Sequence, residues 1–507
     1  MNERPATAAP AAPSSTAKYM TLLAAFLGWL FDGFEMGLFP LIGQPALKDL
    51  LGPASDPLDA TKWFGAIIAV FLVGAASGGV LFGWLGDKIG RVRAMSLSIF
   101  TYAIFTGLCG FATEAWHIAV LRFIASLGMG GEWSLGVALV NEIWPGKSRA
   151  LIAGLIGAAA NIGYLLVAVL SMNLLTYIGH VKGGLLAVGL PDATADFLLK
   201  NSAWRFLMIS GALPALLIFF VRLCVPESEK WQHERDRGAT SHWAKVDLMG
   251  VLVGSIAALG IIWAWSPAGV GAAAATAITV VGLGVALFGF LYPMRMYIQR
   301  AEAVAAIKPG QGAVVVKMML FGAGLAAVAL LGTWGSTQWA PRWVLQLEPD
   351  PAKHAKEWTL FWLSVGAITG TMVAALAAGR FGRRITYAVL CAASIGGALL
   401  LYQCNTRYDD FFLFSTFVAG AATASFYGFF PLYLPELFPT AVRATGQGFA
   451  FNFGRIVAAV GGLQTATLMK VFDNSFPKAA SVMAAIYVVG MFIVWIGPET
   501  KGKELPE

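Results

Sequence analysis

Two carboxylates three residues apart, Asp32 and Glu35, sit in the stretch GWLFDGFEMGLFP (28–40), which otherwise reads as lipid-soluble. Residues at that spacing share one face of a helix. An ionised group at mid-bilayer costs about 3 kcal/mol on insertion scales, so acids kept there are functional by default, and the chemistry open to them is reversible protonation. Arg122 is the third member of the group. Asp32 lies about thirteen residues, roughly 20 Å, from one end of its apolar run, and Arg122 about six residues, roughly 9 Å, from the opposite end of another. Those depths agree in a hydrocarbon core roughly 30 Å thick, so the two side chains can meet. Two readings stand. In one, Asp32, Glu35 and Arg122 form a proton-coupling group whose balance of desolvation, repulsion and guanidinium attraction changes as access alternates. In the other, Asp32 and Arg122 are a permanent clamp, with Glu35 open to the outer side.

Arg455, in GFAFNFGRIVAAV, is the lone mid-membrane charge of the later spans and needs an anion. Its partner is either Asp32 or Glu35 across a cavity, or an anionic substrate whose carboxylate it grips through two parallel hydrogen bonds. Around it, Asn452, Asn161 and Tyr164 offer amide and phenol groups, while Trp334 and Gln338 (GTWGSTQW) and Tyr427 (ASFYGFF) offer stacking and hydrogen bonds to a sugar-like ligand. Helix bracing and aromatic packing are the competing uses of each. A third set, Asp87, Arg91, Glu132, Glu142 and Arg149 with Arg383, Glu436 and Arg443, alternates in sign near the ends of apolar runs. It reads as a salt-bridge gate on one face of the membrane. No nucleotide-binding loop, nucleophile–base pair or metal-ligand cluster is present, so neither an enzyme nor a resident metal or cofactor is expected. The expected coupling ion is a proton, with sodium the alternative.

The elements that must position these residues are transmembrane helices. The 507 residues are 58% hydrophobic and only 12% charged, with mean hydropathy +0.70; soluble chains carry roughly a quarter charged residues. The net charge of +7 is spread over short loops rather than gathered in a basic domain, which excludes nucleic acid as a partner and leaves the lipid bilayer and a small-molecule substrate. Apolar runs occur near 19–41, 63–86, 94–112, 116–139, 150–176 and 203–224, then 247–266 and 271–293, then 315–340, 358–378, 386–404, 411–434, 445–469 and 479–496. The expected architecture is all-α, with about 14 transmembrane helices. It divides into a disordered tail (1–18), a six-helix bundle (19–224), a linker with an inserted, peripheral hairpin (225–312), a second six-helix bundle (313–497) and a short tail (498–507). Basic residues cluster on the face shared by the termini, which the positive-inside rule makes cytoplasmic, in the cell's inner membrane. The four cysteines fall in apolar segments and carry no chemistry.

The two bundles are internally repeated. NEIWPGKSRALIAG (141–154) matches PELFPTAVRATGQG (435–448), aligning Glu142 with Glu436, Pro145 with Pro439, Arg149 with Arg443 and Gly154 with Gly448. GWLGDKIGRVR (83–93) resembles the signature loop of the major facilitator superfamily, departing from its basic tail at Val92; its counterpart AALAAGRFGRR (374–384) has Gly379 where Asp87 stands. VPESEKW (225–231) and GPETKGKEL (497–505) look like sugar-porter endings. The early DGFE, RFIASLGMGGEW (122–133) and the extra pair of spans are most similar to the sialic acid:proton symporter branch, but VGAASGGV (73–80) lacks the arginine that branch carries there. The resemblance implies two pseudo-symmetric bundles, a functional monomer and alternating access. The expected function is proton-coupled uptake of a small organic acid or acidic sugar, with a neutral sugar as runner-up and drug efflux third.

Overall fold

The computed structural model describes residues 15–53, 57–144, 148–265, 269–304 and 310–506. Among these there are helices and no strands. The first half contains α1 (Ser15–Leu51), α2 (Pro57–Ile89), α3 (Arg91–Cys109), α4 (Ala115–Ile143), α5 (Arg149–Met172), α6 (Leu174–Ala187), α7 (Asp192–Ser210) and α8 (Leu217–Cys224). After α9 (Glu229–Asp236) come the hairpin helices α10 (Leu248–Ala264) and α11 (Ala272–Ala303). The second half holds α12 (Gln311–Gly335), α13 (Ala340–Leu347), α14 (Ala355–Phe381), α15 (Arg383–Gln403), α16 (Asp410–Thr423), α17 (Phe426–Tyr433), α18 (Arg443–Val471), α19 (Phe476–Ala484) and α20 (Ile486–Ile493). Among the described residues thirteen segments are long and apolar enough to cross a bilayer, and α18, with 29 residues, is a further long helix. The chain is a multi-pass, all-helical membrane protein.

Apolar burial cannot drive one lipid-facing helix onto another, so close backbone approach at small residues sets the packing. A Cβ added to Gly78 of α2 would stand 1.8 Å from the Leu127 carbonyl oxygen of α4, and one added to Gly370 of α14 would stand 1.9 Å from that of Ala421 in α16. The same contact therefore recurs in both halves. The halves meet by the same device: Gly448 of α18 lies against Gly79 of α2, and Gly157 of α5 against the Tyr427 backbone of α17.

Two details differ from the sequence reading. The expected disordered tail overlaps α1, which begins at Ser15 because its first turn has partners: the Trp144 indole donates to the Lys18 carbonyl at 3.3 Å and meets the Tyr19 ring edge-on. Residues 1–14 lie outside the described residues, as do Pro145 and Lys147 of the repeat and loop motifs. The hairpin is not peripheral. It packs on α2 and α18, along the seam between the halves, with Ser255 of α10 donating to Ser77 of α2 at 2.7 Å. Its base is tied down by the Arg300–Asp247 ion pair and by Lys88 donating to the Trp243 carbonyl at 2.9 Å.

Candidate transport cavity and gate

On the face where the first turn of α1 and the C-terminal segment lie, the two halves are locked together. Asp87, near the end of α2, accepts the Thr445 N–H at 2.8 Å, the Thr445 hydroxyl at 2.6 Å and the Ala444 N–H at 3.2 Å. It thus supplies an anion to the positive N-terminal end of α18. Arg91 donates to Asp87 at 2.6 Å, to Glu142 at 3.1 Å and, across the seam, to the Thr440 carbonyl at 2.8 Å. Arg443 answers from the second half, donating to Glu142 at 2.8 Å. In the mirrored position Arg383 pairs with Glu436 at 2.6 Å, and Arg149 crosses to the same Glu436 at 3.6 Å.

Both sugar-porter-like endings brace this network. Glu227 accepts the Arg91 N–H at 2.9 Å, and Glu499 accepts the Arg383 N–H at the same distance. Gly90 and Gly382 make room for them with positive φ, 111° and 99°. Burial pushes Glu227 above the usual carboxylate range. Burial also acts on Glu499, but N–H donors from Arg383, Lys501 and Arg384 outweigh it and hold that group low. The short C-terminal tail is part of the gate: Arg149 donates to the Lys503 carbonyl at 3.0 Å and Arg443 to that of Pro506 at 2.7 Å.

Between the halves lies a cavity of about 930 Å³, counting its open mouth. From the first half it is lined by Trp29 and Asp32 of α1, Trp133 of α4, and Asn161 and Tyr164 of α5. Trp334, Gln338, Tyr427, Phe451 and Arg455 face them from the second half. Trp133 stacks on Trp29 at 6.0 Å and on Phe451 at 4.0 Å, so one aromatic shelf spans the seam. Arg455 stands over Phe451, 5.5 Å from the ring centroid, and its Nη1 is buried with no hydrogen-bond partner.

The charges pair differently from the sequence reading. Arg122 does not meet Asp32; it donates to Glu35 at 2.5 Å and lies over Phe39 and Phe71. Glu35 is closed off from the outer side, 4% exposed, with the Thr106 hydroxyl donating to it at 3.3 Å. Depth counted from helix ends misleads here because α1 has 37 residues, about 55 Å at 1.5 Å each, and overshoots the hydrocarbon core. Glu132 forms none of the gate's ion pairs. It lies against α1 beside Gly28, within hydrogen-bonding reach of Asp32. Asn452 is outside the cavity, fully buried and donating to the Gly448 carbonyl at 3.0 Å and the Gly130 carbonyl at 3.2 Å, so it braces α18 against α4. Asn161 lines the cavity while donating to Gly157 of its own helix at 3.1 Å. Trp29, Trp133 and Phe451 went unrecognised in the sequence, although Trp29 precedes Asp32 by three and so shares its face.

Residues 18–253 and 361–507 match the family model described as sugar (and other) transporter. The chain belongs to that family. The transporter is 26% identical to the cis,cis-muconate transport protein of Acinetobacter baylyi, over 87% of this chain and 85% of that one. It is 24% identical to the niacin transporter NiaP of the same organism, over 96% and 95% of the two chains. Its fold resembles the solved structure of the proton:xylose symporter XylE of E. coli bound to 6-bromo-6-deoxy-D-glucose, with TM-score 0.67 and 19% identity over 97% and 98% of the chains. This is the major facilitator fold. The protein is a membrane transporter of small molecules and not an enzyme.

Proposed function

We propose that the transporter takes up a small planar carboxylate together with a proton, by alternating access in the inner membrane. The observation that carries this reading is the buried, unpartnered Nη1 of Arg455 beside an aromatic shelf. A buried guanidinium nitrogen left without a hydrogen-bond acceptor is costly, and a carboxylate offers the planar, two-oxygen match to it. Trp29, Trp133 and Phe451 supply an apolar aromatic wall for the rest of such a ligand. Muconate and niacin, named for two relatives, are compounds of this class.

The positive-inside rule places the locked face in the cytoplasm, so the cavity opens outward. Asp32, 8% exposed in the cavity wall and within electrostatic reach of Arg455, is the group through which proton and substrate communicate. Gln338 and Asn161, both lining the cavity, keep a neutral sugar as the second reading. Uptake into proteoliposomes decides between them: benzoate, nicotinate, cis,cis-muconate, sialate and neutral sugars are compared with and without an inward pH gradient. Accumulation of the planar acids only with the gradient supports the proposal; sugar accumulation alone overturns it.

A further inference from the structure

Glu132 is 1% exposed, and neither of its carboxylate oxygens accepts a hydrogen bond from a donor. Its position is built rather than incidental. A Cβ on Gly28 would stand 1.7 Å from its Oε1, so glycine one turn before Asp32 is what lets this carboxylate reach α1. There it meets Asp32, whose Oδ1 is likewise buried without a donor. Ionised carboxylates only accept hydrogen bonds. Two of them buried side by side strongly disfavour carrying both charges, and they bind each other when one proton lies between them.

We infer that Asp32 and Glu132 form a single proton-binding site, holding one proton between the two carboxyl groups when the cavity is empty. The proton site stands on this geometry; its use in coupling rests on the function proposed above. Every helix around the pair fits the assignment. On α1, Glu35 is already neutralised by Arg122 of α4. From α3 the Tyr102 hydroxyl faces Glu132, buried and unpartnered. Arg455 of α18 faces Asp32, and Tyr164 of α5 lies within electrostatic reach of Arg455. The titratable residues of α2 are Asp59, Lys62, Asp87 and Lys88, all near its ends.

The charges then balance. One proton leaves the pair with a single negative charge, which Arg455 offsets, while Glu35 and Arg122 offset each other. A carboxylate docking on Arg455 adds a negative charge that a second proton removes, leaving Asp32 and Glu132 both neutral. Substrate and proton therefore strengthen each other's binding, which is the thermodynamic content of symport.

The test needs no substrate. Infrared difference spectra of the chain in lipid vesicles, titrated from mildly acidic to mildly alkaline pH, report the C=O stretch of protonated carboxyl groups. The parent shows one such buried band at neutral pH. Asp32→Asn and Glu132→Gln each lose it, because the new amide N–H supplies the hydrogen bond the proton supplied; Glu35→Gln keeps it. Monodisperse gel filtration confirms that each variant is folded. A band missing from the parent, kept in both pair variants, or lost in only one of them overturns the shared site. Because substrate is absent, failure here is distinct from failure of the uptake panel.

Discussion

Asp87 of the first half and Thr445 of the second are joined twice: the Asp87 carboxylate takes both the N–H and the hydroxyl of Thr445, and it takes the neighbouring Ala444 N–H as well. One carboxylate thus holds the end of α2 onto the start of α18. Its second-half counterpart position is Gly379, so no equivalent lock exists there.

Asp87→Asn keeps the shape but removes the charge. Hydrogen bonds to charged groups contribute about 1.5–3 kcal/mol, so the closed state should lose about tenfold or more in population. The check is thiol labelling of Ser134→Cys, at a position buried in the seam where Gln447 of α18 donates to the Ser134 carbonyl of α4, in a background with Cys109, Cys224, Cys391 and Cys404 replaced. Labelling several-fold faster in Asp87→Asn is expected, and an unchanged rate contradicts the lock.

Glu35 and Arg122 are a buried ion pair, 4% and 3% exposed. Removing one partner strands the other charge, at a cost of about 3–5 kcal/mol. Glu35→Gln should therefore lower the melting temperature in detergent markedly, and Glu35→Gln with Arg122→Leu should recover much of the loss. Asp32→Asn, which strands no paired cation, should melt close to the parent. A stable Glu35→Gln single variant would show that this pair does not brace α1 against α4.

Gly28→Ala pushes a methyl group into the Glu132 carboxylate, 1.7 Å from Oε1 on the present backbone. The side chain can swing away, breaking its contact with Asp32. Exchange of labelled nicotinate across vesicles should survive while accumulation driven by a pH gradient is lost. Retention of full accumulation would separate coupling from the Asp32–Glu132 pair.

The membrane-spanning character, the repeat and the signature loops were legible because each rests on local pattern: long apolar runs, glycines at turns, cations in short loops. The identity of the buried charges was legible for the same reason, since Asp32, Glu35, Arg122 and Arg455 each interrupt an apolar run. Which charge faces which was not. Glu132 is one residue before Trp133 in GGEW and reads as interfacial until the packing of Gly28 against it is known. Asn452 likewise faces the Gly130 backbone rather than the cavity, a matter of helix rotation that spacing alone does not determine. The hairpin's seat on the seam is tertiary as well, set by contacts such as Ser255 with Ser77 that are distant in sequence.

The central claim is that Arg455 receives the carboxylate of the substrate. A planar fork gripping two oxygens is not replaced by an ammonium, so Arg455→Lys should weaken binding of nicotinate about tenfold and Arg455→Ala further, each 1.4 kcal/mol being a factor of ten. Nicotinamide, matched in shape but uncharged, should bind the parent weakly and change little in either variant. The measurement is equilibrium binding of this acid–amide pair to the parent and both variants at one pH. A selective loss for the acid is the predicted result. Equal losses for acid and amide would mean that Arg455 serves Asp32 rather than the ligand, contradicting the account.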